Sequence, residues 1–119
     1  ADLDCRTSGN AEGAIFANFE LNIGFASSPT ANLTVELYLV PKLDGTNAAE
    51  VDSTNHLLQA QTYAGSFVIL KSQTAAQRMV ILGVPVQPLL YTAYILNKSG
   101  QTYSTGWTLK AVVSYGKYT

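Results

Sequence analysis

Apolar and polar residues alternate along much of this chain with a period of two. In residues 13–23, Ile15, Ala17, Phe19, Leu21 and Ile23 fall on one face, and Asn18, Glu20 and Asn22 fall on the other. That pattern marks a strand with one face in a core and the other towards water or a partner. After the turn residues Ser27, Ser28, Pro29 and Thr30, a second run alternates Leu33, Val35, Leu37 and Leu39 with Thr34, Glu36, Tyr38 and Val40. Pro41 closes it, because proline has no N–H to give to a ladder. Four further segments read as strands: SFVIL from Ser66, RMVILGV from Arg78, YTAYIL from Tyr91 and WTLKAVVSY from Trp107. In the last of these, Trp107, Leu109, Ala111, Val113 and Tyr115 share a face opposite Thr108, Lys110, Val112 and Ser114.

No stretch of ten or more residues carries a strong helical period, and the strands recur at the short spacing of sandwiches and barrels. The pattern predicts an all-β fold, a single antiparallel β-sandwich of jelly-roll type with six strands and as many as eight. Two segments stand outside it. Residues 1–12 are polar, contain Ser8-Gly9-Asn10, and read as a flexible N-terminal arm ahead of a sandwich domain at 13–119. Residues 41–65 form a connection far longer than the usual ~4–6 residues, the length at which loops are functional or carry short elements of their own. Leu57, Leu58 and Tyr63 are expected to pin this loop to the body, with a short edge strand or helical turn near 48–51.

Composition narrows the function more than the fold. The 119 residues suffice for one domain with its own core. Only 13% are charged, and the net charge is −1 without a basic or acidic cluster, so direct nucleic-acid binding is not expected. Low charge with many Ser, Thr, Asn and Gln residues suits a protein that rests against neighbours. The longest apolar stretch, MVILGVPV, is far short of the ~18–20 residues that cross a bilayer, and no secretory signal pattern is evident, so no membrane association and synthesis in a cytoplasm are expected. Cys5 is the sole cysteine, which rules out an internal disulfide and any cysteine-based zinc site. It is read as a free thiol, with an intermolecular bridge as the alternative.

Reactive side chains are sparse. His56 is the only histidine, and no serine or cysteine sits in a nucleophile motif, so a triad of His56, Asp52 and a serine would have to assemble in space. Asp44, Glu50 and Asp52 share the long loop with Asn47 and Asn55, oxygen ligands suited to Ca²⁺. Their spacing is not that of an EF-hand, and an Asp44-Gly45 turn explains them more simply. Glu20 and Glu36, the acids within strands, face outward, which does not suit a paired-carboxylate cleft. Seven tyrosines and one tryptophan would suit a sugar-binding platform, but core packing and interface contacts account for them more simply. Asn32-Leu33-Thr34 and Asn97-Lys98-Ser99 fit the glycosylation pattern; the second reads better as hairpin turn chemistry, with Gly100 supplying a positive φ. No catalytic residue, metal or cofactor is expected.

The segment YLVPKLDGTN, followed by AAQRMVILGVPVQPLLYTAYILNKSGQTYSTGWTLKAVVSY, resembles small β-sandwich structural proteins encoded beside the major capsid protein in tailed bacteriophages and prophages. The pattern is a strand ending in a P-x-L-D-G turn (Pro41 to Gly45), a strand ending in GVPxxP (Gly83 to Pro88), an N-x-S-G turn (Asn97 to Gly100) and a last alternating strand (Trp107 to Tyr115). The resemblance implies a virion component, most of all a decoration or cement protein on the outer capsid. Such a protein would act as a homo-oligomer, often a trimer, against the major capsid protein. A head-fibre, tail or baseplate role on the same fold, and a free carbohydrate-binding module, are the alternatives. For the decoration role the contact candidates are Leu3, Cys5 and Arg6 in the arm, and Lys42, Asp44, Asn47, Glu50, Asp52 and His56 in the long loop.

Overall fold

The computed structural model describes residues 2–6, 14–51 and 59–115. Among these lie seven strands: β1 (Asp2–Asp4), β2 (Ala14–Ile23), β3 (Thr34–Lys42), β4 (Tyr63–Val68), β5 (Gln77–Pro85), β6 (Leu90–Lys98) and β7 (Thr108–Tyr115). They form two antiparallel sheets packed face to face, a four-stranded sheet in the order β1-β6-β3-β4 and a three-stranded sheet in the order β5-β2-β7. The all-β sandwich is therefore as the alternation predicts. A jelly roll has eight strands in two Greek keys; the described residues supply seven strands, split four and three, within the six to eight expected.

The core is built from the inward face of each alternating run. Ala17, Phe19, Leu21 and Ile23 of β2 meet Val35, Leu37 and Leu39 of β3, with Phe67, Ile69, Met79 and Val84 closing the layer. Fully burying a side chain such as Phe67 or Leu37 stabilises by roughly 1.5–3 kcal/mol, so this shared face holds the sheets together. Buried Gln77 is fully partnered. Its Oε1 accepts from the N–H groups of Leu70 and Lys71 (3.3 and 3.1 Å), and its Nε2 donates to the Lys71 carbonyl (2.9 Å), tying down the crossing from β4 to β5.

Two glycines have specific duties. Gly24 lies against the 72–76 turn, where a Cβ would come within 2.9 Å of the Thr74 carbonyl oxygen. Gly83 takes a φ of 68° where the β2–β5 register breaks between Ala17 and Phe19, and its N–H donates to Asn18 Oδ1 at 2.8 Å. This is a β-bulge whose extra residue needs the left-handed region.

The structure corrects three expectations. Residues 2–6 are not an arm. Asp2–Asp4 pairs with β6, the Cys5 N–H donates to the Leu89 carbonyl at 3.0 Å, and Cys5 is 0% exposed within the core. The cause is a short alternation, with Leu3 and Cys5 turned inward between Asp2, Asp4 and Arg6. The remaining arm residues, Ala1 and 7–12, lie outside the described set. Second, β6 and β7 are not hairpin partners but sit in opposite sheets, and residues 99–107 carry the chain between them. Third, the helical turn in the long loop lies at Ala60–Thr62 rather than near 48–51. Leu57 and Leu58 lie outside the described residues, and Tyr63 opens β4.

Candidate functional site

The nine contact candidates do not converge on one place. Asp52 and His56 lie outside the described residues. Leu3 packs against the core and Cys5 is sealed within it; burial pushes the Cys5 thiol pKa up, with the charge of Asp4 adding to the effect. Cys5 thus presents no sulfur to a partner in the folded chain. Arg6 is exposed and doubly bonded to Asp4, with Nε donating to Oδ1 at 2.9 Å and Nη2 to Oδ2 at 2.8 Å. The fork of hydrogen bonds from Arg6 holds the Asp4 carboxyl down at about 2.

Lys42 works structurally. Its Nζ lies 2.9 Å from Asp2 Oδ2, joining the end of β3 to β1, while the Thr92 hydroxyl donates to Asp2 Oδ1 at 3.0 Å. Asp44 does likewise. The N–H groups of Thr46 and Asn47 donate to its Oδ1 at 2.8 and 2.7 Å, and Asn47 Nδ2 donates to Oδ2 at 3.0 Å. Those donors, the Asn47 N–H first, lower its pKa to about 2. With Gly45 at a φ of 79°, the group is a turn of the Asx type, and its carboxylate is already satisfied. Glu50 is exposed, and its carbonyl accepts from Gln59 Nε2 at 3.2 Å. Among the described residues no three His, Cys, Asp or Glu side chains gather as metal ligands.

The resemblance motifs have equally local duties. Asn97 caps its own turn: Oδ1 accepts from the Ser99 N–H at 3.0 Å and Nδ2 donates to the Gln101 carbonyl at 2.7 Å, with Gly100 at a φ of 79° as anticipated. Tyr91, which follows the GVPxxP turn, is buried and accepts from the Gln87 N–H at 3.1 Å.

Two outward faces remain, and each carries apolar or aromatic area that the fold does not bury. On the three-stranded sheet, Leu82 is 70%, Val112 66%, Val80 56% and Phe16 45% exposed. Register places them together: Asn18 of the central strand pairs with Val112 and lies beside the Leu82–Gly83 bulge, Glu20 pairs with Val80, and Phe16 pairs with Pro85. An ion pair, Arg78 to Glu20 at 3.1 Å, borders this cluster. The strand pattern placed Val112 opposite the Trp107 face but assigned no face to Val80 or Leu82, and the neighbourhood of the three emerges only once β5, β2 and β7 are ordered. On the four-stranded sheet, Tyr63, Tyr38 and Tyr94 form a row across β4, β3 and β6. Tyr38 and Tyr63 meet edge to face, with ring centroids 5.6 Å apart and planes at 65°. The Tyr38 hydroxyl donates to Glu36, which pairs with Lys98 at 3.3 Å. Trp107 is half-buried against the core and meets Tyr103 edge to face.

No protein-family model, curated protein or solved structure matches this chain.

Proposed function

We propose that this chain is a non-enzymatic virion structural protein, a capsid decoration protein that binds the major capsid protein on the outer shell as a homo-oligomer, assembled in a host cytoplasm. The carrying observation is the apolar cluster of Phe16, Val80, Leu82 and Val112 on the outer face of the three-stranded sheet. Exposed apolar side chains gathered on one sheet face mark a surface that associates, and Asp2, Asp4, Asp44 and Asn97 are occupied in local hydrogen bonds. A cement protein needs a rigid body and association surfaces. Each contact is allowed to be weak, because an oligomer seated on several shell subunits gains through effective concentration.

The test is light scattering on the purified chain, followed by co-sedimentation with capsids of the phage or prophage that encodes it. An oligomer that pellets with capsids, and that loses pelleting in Leu82→Lys and Val112→Lys while keeping its melting temperature, is the expected result. A monomer that stays in the supernatant sinks the reading. A second reading, carbohydrate binding, draws on the Tyr63, Tyr38 and Tyr94 row. The 65° angle between two of its rings does not give the coplanar platform that stacks on successive sugars, so it ranks second. Glycan-dependent quenching lost in Tyr38→Ala, with no capsid binding, would reverse the order.

A further inference from the structure

Ion pairing leaves an uneven remainder of charge on this chain. Among the described residues Arg6 pairs with Asp4, Lys42 with Asp2, Arg78 with Glu20 and Lys98 with Glu36. Within the same set Lys71 and Lys110 have no acid partner, Asp44 and Glu50 have no cation partner, and all four are exposed. The two signs lie apart. Lys110 of β7 stands beside Glu20 in the row that ends at Val80, and Lys71 lines a hollow with Asn22, Leu70 and Arg78 at the end of the same sheet. Asp44 and Glu50 both belong to the segment that follows β3.

Each patch has exposed apolar area of its own. The cations border the cluster of Phe16, Val80, Leu82 and Val112. Next to Asp44 is Leu43, at 76% the most exposed large apolar side chain among the described residues. A leucine so placed gains nothing for folding. The backbone around it is nonetheless tied down: the Gly45 N–H donates to the Lys42 carbonyl at 2.9 Å and the Ala49 N–H to the Pro41 carbonyl at 3.1 Å. Asp44 uses its oxygens on Thr46 and Asn47 within the same turn, which leaves Glu50 as the acid for direct contact. A turn held in this way loses little freedom when it docks.

We propose that the three-stranded face receives a second copy of this chain, whose Leu43 turn seats on Val80, Leu82 and Val112 with Glu50 against Lys110. The proposal rests on the homo-oligomer part of the decoration reading and names its contact. A two-fold contact between like faces fits poorly, because it gathers Lys71, Arg78 and Lys110 of both copies over only two glutamates, and opposed like charges disfavour a contact. Turn and face are different surfaces, so the contact is heterologous. One copy gives its turn while receiving another's, and such contacts close into a ring or run on as a filament.

Light scattering on the full chain reads the contact directly. Leu43→Lys and Leu82→Lys should each leave a monomer with the parent's melting temperature, since both side chains lie mostly in water. Mixed in equal amounts they should form a one-to-one dimer and nothing larger, because the first keeps a sound face and the second a sound turn. Glu50→Lys or Lys110→Glu alone should weaken association at least about tenfold, and the double variant should regain most of it; this pair carries the test should Leu43→Lys fail to fold. An oligomer that persists in Leu43→Lys would overturn the proposal and leave the homo-oligomer reading standing. So would a double charge variant weaker than either single one. A mixture still monomeric at about a hundredfold the concentration that assembles the parent, a margin for the avidity that a closed ring has and a single contact lacks, would overturn it as well. A parent that is monomeric at every concentration would sink the homo-oligomer reading with it.

Discussion

Cys5 is the sharpest place to test the packing of the N-terminal residues. In the structure its side chain is wholly buried among core residues. Cys5→Ala removes one buried heavy atom, a loss of about 0.8 kcal/mol in transfer energy with a smaller cavity cost at ~24 cal/mol per Å³, or about 1 kcal/mol together. Cys5→Ser keeps the shape but buries a hydroxyl in apolar surroundings, which costs roughly 1–3 kcal/mol when no partner is gained. The order of stability is therefore parent, then Ala, then Ser, with Ser about 2 kcal/mol down. At about 4 °C per kcal/mol for a domain of this size, Cys5→Ser should melt about 8 °C below the parent. Urea denaturation with a shared m-value gives the free energies. The native thiol should resist an aromatic disulfide reagent until the chain opens. Were residues 1–6 a surface arm, both variants would lie within about 0.5 kcal/mol of the parent and the thiol would react at once. That result would refute the packing described for β1.

Three further outcomes are expected. Gly24→Ala forces a Cβ to within 2.9 Å of the Thr74 carbonyl and should cost about 1–3 kcal/mol by overpacking against backbone, read by urea denaturation. Gly83→Ala meets nothing within 4 Å, so its cost is the left-handed φ alone, about 1–2 kcal/mol; a loss near zero would show that the bulge relaxes. Asp44 has a folded pKa of about 2 against an ordinary 3.8. A depressed carboxyl pKa stabilises the fold above 3.8, and the contribution is lost as pH falls from there to 2. Melting curves of the parent and Asp44→Ala should therefore differ at pH 7 and draw together by pH 2, and a gap that persists at pH 2 would show that the turn does not depend on the charge.

The strands were legible because alternation is a property of single residues facing a single core. Five of the six expected strands agree with the structure to within about two residues at each end; β4 starts earlier, at Tyr63, because its pairing with β3 carries on past a register break at Leu37/Tyr38. β1 escaped because three residues are too few for a period to stand out, and because Asp2, Asp4, Arg6 and Ser8 give the segment a polar average. Its signal was nonetheless present, in Leu3 and Cys5 two residues apart. The crossing of β6 to β7 was hidden because turn residues such as Asn97 and Gly100 specify a reversal without saying into which sheet the next strand goes. The surface cluster was the least legible part. Leu82 and Val112 are thirty positions apart in sequence, and only the order β5-β2-β7 brings them to the same patch.

The turn motifs that carry the resemblance to phage structural proteins each solve a folding problem in this chain. Gly83 permits a bulge, Asn97 and Ser99 satisfy the backbone where β6 leaves its sheet, and Asp44 with Gly45 reverses the chain after β3. Any chain that made the same reversals would favour similar residues, so these motifs bear on architecture more than on partners. The outward positions follow the opposite logic. Leu82 and Val112 contribute little to the core, and an apolar side chain left mostly in water gains nothing for folding, so lysine at either position should be tolerated by the fold. An apolar cluster that stability does not require is explained by what it touches in an assembly, and that is why substitutions on this face discriminate between functions where substitutions of Gly83, Asn97 or Gly45 would report only on folding.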